Sequence, residues 1–230
     1  MTDSLAMKFL VAVALFAVVY ADVKNVRQKF KGAAITAIND QITRELQASY
    51  FYQAYAQYFA RSDVALPGFA KFFSEASKEE RNHAEKLMEY VNKRGGDIQL
   101  KELKLQDVCN LVTKGLEDAT FSFTKTKSCI CNFITANNAV TSSLECDNSV
   151  RDDWFNGLMA LEDTLVLERA VNDFLLKLHQ AHDDDAHLSH VLEHEYLDEQ
   201  VNAIKELGDK ISQLKRAGKG LGEYLFDQKM

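Results

Sequence analysis

Proline is nearly absent from this chain: its 230 residues contain one, Pro67. Proline breaks helices because it lacks an N–H and its ring collides with the preceding turn, so its scarcity permits long helices. Cysteine is missing from most of the sequence, since Cys109, Cys129, Cys131 and Cys146 all fall in one segment. No run of lysines and arginines occurs, and the formal net charge is -7. A nucleic-acid partner is therefore disfavoured, because backbone binding needs clustered cations. An acidic chain draws cations in instead. Beyond residue 21 there is no run of about 18 apolar residues, so no transmembrane anchor is expected. The same stretch has no Asn-x-Ser/Thr acceptor, and no N-linked sugar is expected.

What is present reads as one globular domain. Apolar residues make up 47% and charged residues 27%, and the length suffices for a sizeable core. The N-terminus differs: Lys8 precedes FLVAVALFAVVYA, with Val19 and Ala21 at the small-residue positions of a cleavage site. Residues 1–21 are thus read as a signal peptide cleaved before Asp22, and 22–230 as the mature domain. That places the chain in the secretory pathway, where disulfides are expected. Cys129 and Cys131 are too close for an easy internal pair. Cys109 and Cys146 are the favoured partners, for them or for a neighbouring chain. A structural zinc site is the weaker reading, because the usual Cys-x₂₋₄-Cys spacing is missing.

Periodicity predicts the elements. Residues 33–60 place Ile38, Ile42, Leu46, Tyr50, Tyr52 and Phe59 at helical spacing. ARSDVALPG interrupts them, and Pro67 suits the first turn of a second helix. That helix carries Phe69, Phe72, Phe73, His83, Leu87 and Val91 and stops at Gly95-Gly96. Residues 97–150 are rich in Thr, Ser and Asn and hold the cysteines. They exceed an ordinary loop and read as an insert with a helical piece near 103–116. The period returns from Trp154 to Leu178, is broken by AHDDDAH, and resumes from Ala186 through Tyr196, Val201, Ile204, Leu207 and Ile211 to Leu214. GLGEYLF suggests a short final helix. The predicted fold is all-α: a four-helix bundle with one long crossover and a short C-terminal fifth helix.

Several polar residues sit on faces that ought to be buried. Glu45 and Tyr52 are seven apart, nearly two turns, and share a face with the small residues Ala48 and Ser49. Glu80 and His83 form a Glu-x-x-His pair, which aims one carboxylate oxygen and one imidazole nitrogen at a common point. Glu162 and Glu168 interrupt an otherwise apolar run, Glu168 the more conspicuously, and Glu199-Gln200 follow on the last long helix. A buried carboxylate is costly unless paired or metal-bound. Oxygen donors with a single nitrogen suit iron. Glu-x-x-His alone is a weak signal, but four helices each contributing a candidate is a strong one. A second Glu-x-x-His is absent, so the predicted two-metal site is asymmetric.

These residues resemble the ferritin family, and within it the heavy, ferroxidase-bearing type. RELQASYFY, ALPGFAKFF, EERNHAEKLMEYVNKRGG, LMALEDTLVLE and EYLDEQVNAIKELGDKISQLKRAG look like ferritin segments in the right order. The resemblance implies oxidation of Fe(II) to Fe(III) at an intrachain di-iron centre. Two irons would bind per subunit, and a mineral core would form inside a 24-subunit shell of one or more ferritin chains. It implies Glu45 and His83 on the first iron, Glu80 bridging, Glu168 on the second, Tyr52 beside the site and Gln200 orienting water or oxygen. Glu79 and Glu85 match the inner nucleation patch, where Asn82 replaces a usual Glu and leaves neighbours such as Glu162 to assist. Ser189, His190 and Glu193 match the iron-entry channel, where His190 replaces a common Asp. Imidazoles there would weaken cation attraction at low pH, and AHDDDAH would restore negative potential near the mouth.

The signal peptide and the cysteine-bearing insert depart from cytosolic ferritins and look like secreted or yolk ferritins of invertebrates. They imply secretion or yolk granules, with the insert as a possible surface for an uptake receptor. The alternatives are a non-catalytic storage subunit that relies on partner chains, an organic-substrate di-iron oxidase, and a receptor-binding module whose activity lies in the insert. The intact ligand set disfavours the first of these. The missing second Glu-x-x-His and the short fifth helix disfavour the second.

Overall fold

A computed structural model describes residues 26–118, 123 and 156–230. Residues 1–21, read above as a signal peptide, Cys129, Cys131, Cys146, Trp154 and most of the expected insert 97–150 lie outside the described residues. Within them all regular structure is helical. Helix α1 (Gly32–Phe59) and helix α2 (Pro67–Lys93) form the first hairpin. Pro67 occupies the first turn of α2, where a missing N–H costs nothing. Helix α2 stops at Gly95, whose φ of 69° suits a residue without Cβ. Gly96 N–H then bonds back to Val91 O at 2.8 Å.

The crossover begins as a strap along α1. The buried Asn39 side chain donates to Asp97 O at 3.0 Å and accepts from Gln99 N–H at 2.7 Å. Gln47 Nε2 donates to Lys104 O at 2.9 Å. The strap leads into helix α3 (Leu105–Leu116), which matches the predicted helical piece and buries Val108, Cys109, Val112 and Leu116. Helix α3 packs on α1 and on helix α4 (Gly157–Ala181). Gly115 makes this contact close, since a Cβ there would meet Val166 Cγ1 at 2.3 Å. Cys109 is disulfide-bonded, and its partner is outside the described residues.

Helix α4 opens on Asn156, whose side chain accepts from Met159 N–H at 2.9 Å as an N-cap. Helix α5 (Ala186–Leu192), a π-helical turn (Glu193–Leu197) and helix α6 (Asp198–Ala217) then run on as one rod. The bundle core is rich in aromatics at one end. Tyr55 stacks on Phe73 with centroids 4.8 Å apart, and Phe59 lies 5.1 Å from Phe69 and 5.7 Å from Phe73. Each such ring contributes roughly 1.5–3 kcal/mol by leaving water.

Helix α7 (Leu221–Asp227) is the expected short fifth helix. Its two carboxylates cap two other helices. Asp227 Oδ1 accepts from Phe69 N–H at 2.9 Å, and Glu223 Oε1 accepts from Gly157 N–H at 2.6 Å. First-turn N–H groups have no intrahelical partner, so these bonds satisfy orphan donors of α2 and α4.

Three sequence expectations need correction. Tyr50 and Val201, read as members of apolar stripes, are exposed. On a helix of 3.6 residues per turn, steps of four drift forwards and steps of three drift backwards, which carries Tyr50 away from the Ile38 face and Val201 away from the Leu207 face. Glu162, suggested as a helper in mineral nucleation, is fully buried, with Oε1 3.0 Å from Lys215 Nζ. The AHDDDAH acids are largely engaged. Asp184 pairs with Lys31, and Asp185 lies 2.7 Å from Arg94 Nη2 while capping α5 through Leu188 N–H.

Asp185 therefore joins the end of α2 to the start of α5. Asp185→Ala should lower stability at neutral pH by about 1–2 kcal/mol, read from the urea midpoint. Hydrogen bonding to Arg94 holds the Asp185 carboxyl below its usual range. Its contribution is thus present above the unfolded pKa and lost as pH falls through the folded one. The gap between variant and parent should close below about pH 4. Equal midpoints at neutral pH would remove this role.

Candidate metal centre

Helices α1 and α2 are drawn together by two serines. Ser49 Oγ donates to Ser77 O at 2.6 Å, and Ser77 Oγ donates to Ser49 O at 2.8 Å. In antiparallel helices, stepping back one turn from Ser49 and forward one turn from Ser77 leads to facing positions. Those positions are Glu45 and Glu80, both buried. His83 follows Glu80 by three residues and lies on the same face. Ligand atoms of Glu45, Glu80 and His83 all fall within 4.8 Å of one another.

The donors are only partly satisfied by the protein. Gln41 Nε2 donates to Glu45 Oε1 at 2.8 Å, yet Glu45 Oε2 and Glu80 Oε2 have no hydrogen-bond partner. His83 Nδ1 is 3.6 Å from Glu80 Oε2, too far for a hydrogen bond. His83 Nε2 is 3.0 Å from Glu199 Oε2, so the proton on Nε2 is held by a carboxylate. A cation arriving at Nδ1 would leave that bond intact, the usual way an acid orients a histidine ligand. Tyr196 adds a hydrogen bond from its hydroxyl to His83 O at 3.2 Å.

Helices α4 and α6 close the site. The Tyr52 hydroxyl donates to Glu168 Oε1. Gln200 Nε2 donates to the Glu168 backbone carbonyl at 3.2 Å, which places its amide against α4.

Burial raises the Glu45 carboxyl well above the usual range, and the neighbouring Glu80 charge adds to it. Glu80 is raised well above that range by burial and by Glu168. Glu168 is also raised by burial, with Tyr52 and Gln200 opposing through hydrogen bonds. Burial pushes the Tyr52 phenol up as well, and Glu168 pushes it further. His83 would be lowered by burial, but Glu199 and Glu45 outweigh that and raise it. Three carboxylates in one dry space cannot all ionise without a compensating cation. The oxygen-rich donor set and the orphaned carboxylate oxygens fit a hard metal ion such as iron.

Other residues singled out in the sequence lie apart from this cluster. Glu79 and Glu85 are exposed on α2. Partial burial of the Glu79 carboxylate, then Glu199, raises its pKa. His190 and Glu193 are exposed, and Glu193 Oε1 lies 2.7 Å from His179 Nε2. Two members of the cluster went unassigned in the sequence reading. Gln41 carried a usable signal, since it sits four residues before Glu45. Glu199 was noted only beside Gln200, and its pairing with His83 spans 116 positions, which local spacing does not show.

The cluster has a stability consequence. Glu80→Gln should stabilise the metal-free protein by about 1–2 kcal/mol at neutral pH, because it removes a charge that folding disfavours. Since the folded pKa of Glu80 is raised, the parent is most stable below the unfolded pKa and loses stability as pH rises through the folded value. The variant's advantage should therefore shrink on acidification, as read by denaturant midpoints in chelator. A destabilised variant would show that the carboxylates do not repel one another.

Comparison with known proteins agrees with this geometry. Residues 35–217 match the Ferritin-like domain family. The chain is 44% identical over 209 residues to yolk ferritin of Lymnaea stagnalis, covering 87% of this chain and 84% of that one. It is 43% identical over 208 residues to soma ferritin of the same organism, covering 90% and 95%. With most of its length matched and a buried Glu45–Glu80–His83 cluster inside a helical bundle, the chain belongs to the ferritin family of iron-storage proteins.

Proposed function

We propose that this chain is a ferroxidase as well as a storage subunit. It oxidises Fe(II) with oxygen at a two-iron site inside its own bundle and stores the product as ferric oxide-hydroxide in a 24-subunit shell. The observation that carries this reading is the convergence of Glu45, Glu80 and His83 within 4.8 Å, with two buried carboxylate oxygens left unpartnered. A purely structural subunit has no need of that repulsion. Iron is the substrate. Glu45 and His83 would hold the first ion, Glu80 would lie between the two, and Glu168 would hold the second.

Each Fe(II) gives one electron to oxygen, so a pair of ions reduces one O₂ by two electrons and, with two protons, releases hydrogen peroxide. Carboxylates favour the ferric product because they are hard, anionic ligands. Glu199 holds the His83 ring, Tyr52 holds the Glu168 carboxylate, and Gln200 ties α6 to α4 through the Glu168 carbonyl. Glu79 and Glu85 would receive ferric ions on the way to the mineral, and His190 with Glu193 would line the entry for ferrous ions. The likeness to a yolk ferritin, together with residues 1–21, supports a secreted protein, with residues 22–230 as the mature domain and 97–150 as its insert.

The test is ferrous oxidation in air by the purified protein, followed by ferric absorbance. A fast phase that saturates near two irons per chain is expected. Glu80→Ala combined with His83→Ala should slow that phase by about 100-fold or more while leaving assembly intact. A parent protein that forms shells yet oxidises iron no faster than buffer would instead be a storage subunit dependent on other chains.

A further inference from the structure

A cleft of about 650 Å³ lies where three pieces of chain meet at one end of the bundle. They are the lead into α1 (residues 27–31), Arg94 after the end of α2, and the turn between α4 and α5 (182–186). Ligand pockets commonly enclose about 300–1,000 Å³. The chain has a net charge of -7, yet this cleft is lined by four cations, Arg27, Lys29, Lys31 and Arg94, against two acids, Asp184 and Asp185. Both acids are already neutralised: Asp184 pairs with Lys31, and Asp185 accepts from both Nη atoms of Arg94. Stacking holds the Arg94 guanidinium in place, with Cζ 4.7 Å from the centroid of the buried Phe30 ring.

Other donors in the cleft are left over. Arg27 is fixed by Nε to Gly95 O at 2.8 Å and by Nη2 to Asp97 Oδ2 at 3.1 Å, and its Nη1 has no acceptor among the described residues. Lys29 has no carboxylate partner among them, and its φ of 56° is a left-handed conformation that is costly for a residue with a Cβ. His182 is the stronger sign. It is 8% exposed and ends α4, where its N–H bonds to His179 O and its carbonyl accepts from Asp185 N–H, both at 3.1 Å. Its imidazole nitrogens have no hydrogen-bond partner among the described residues. Buried polar side chains are ordinarily satisfied, and an imidazole always has at least one N–H to place. A phosphate group brings up to about two negative charges and three strong acceptor oxygens, enough for donors arriving from two separate segments. We propose that this cleft binds a phosphate dianion, free or as a monoester, through Arg27, Lys29 and the His182 imidazole. The site does not depend on the ferroxidase reading, since it shares no residue with the carboxylate cluster.

The test is calorimetric titration of the purified protein, freed of iron, with inorganic phosphate and with phenyl phosphate at neutral pH and constant ionic strength. One anion should bind per chain. Lys29→Gln and His182→Gln should each weaken binding by about tenfold. Lys177→Gln, which removes an exposed cation outside the cleft, should leave it unchanged. Tighter binding of phenyl phosphate than of the free ion would assign the site to an ester, and equal or weaker binding would assign it to inorganic phosphate. Either outcome supports the site. No binding of either anion to the parent overturns the proposal. So does an affinity that both cleft variants retain, or one that falls as far in Lys177→Gln as in them. Melting temperatures matched to the parent establish that the variants are folded, and the exposed Lys29 keeps the test valid should His182→Gln not fold.

Discussion

Mutual repulsion among buried carboxylates is the constraint on which this bundle depends. Glu45, Glu80 and Glu168 come from three different helices and meet where water is excluded. Left alone, they push the helices apart or take up protons. The fold resists through the Ser49–Ser77 clasp between α1 and α2, the aromatic stack of Tyr55, Phe59, Phe69 and Phe73 beside the site, and the strap of residues 97–104 pinned by Asn39 and Gln47. Packing makes the charge cluster possible, and a cation makes it favourable. A cation that binds the folded cluster and not the unfolded chain would add its binding free energy to the stability of the bundle.

The same logic separates the two kinds of histidine. His83 is enclosed by acids and held through Nε2, so its other nitrogen is aimed inward. His190 and His194 sit on a helix exterior with only a backbone carbonyl as anchor. Burial and acidic neighbours make the first suited to a hard, highly charged ion. Exposure leaves the second without that enclosure.

The helices were legible in the sequence because their periods are long and nearly unbroken by proline. Pro67 and Gly95 marked the first hairpin's joints correctly, and the helical piece in the crossover was placed within two residues of Leu105–Leu116. Tyr50 and Val201 misled because stripes counted only in fours or only in threes drift off the buried face. In the site, Glu45, Tyr52, Glu80, His83, Glu168 and Gln200 stood out as polar residues on apolar faces, and the structure brings them to one region of the bundle. Glu199 was noted beside Gln200 but given no role, since a half-exposed acid looks ordinary until His83 is placed opposite it. Glu162 stood out as an acid on an apolar run, but the nucleation role suggested for it does not fit a buried partner of Lys215. Long-range pairings of this kind leave no trace in local spacing.

The position of α7 has a consequence for association. Its two acids grip the starts of α2 and α4, so this seven-residue helix is fastened along one side. Leu221, Tyr224 and Leu225 on the other side are exposed. A helix this short would fray in isolation. Fastened at two points, it presents those three apolar side chains as a fixed facet whose ordering entropy is already settled when the chain folds. A neighbouring chain that covers the facet gains apolar burial without having to order it first, so the acids that finish the fold also prepare the surface for company.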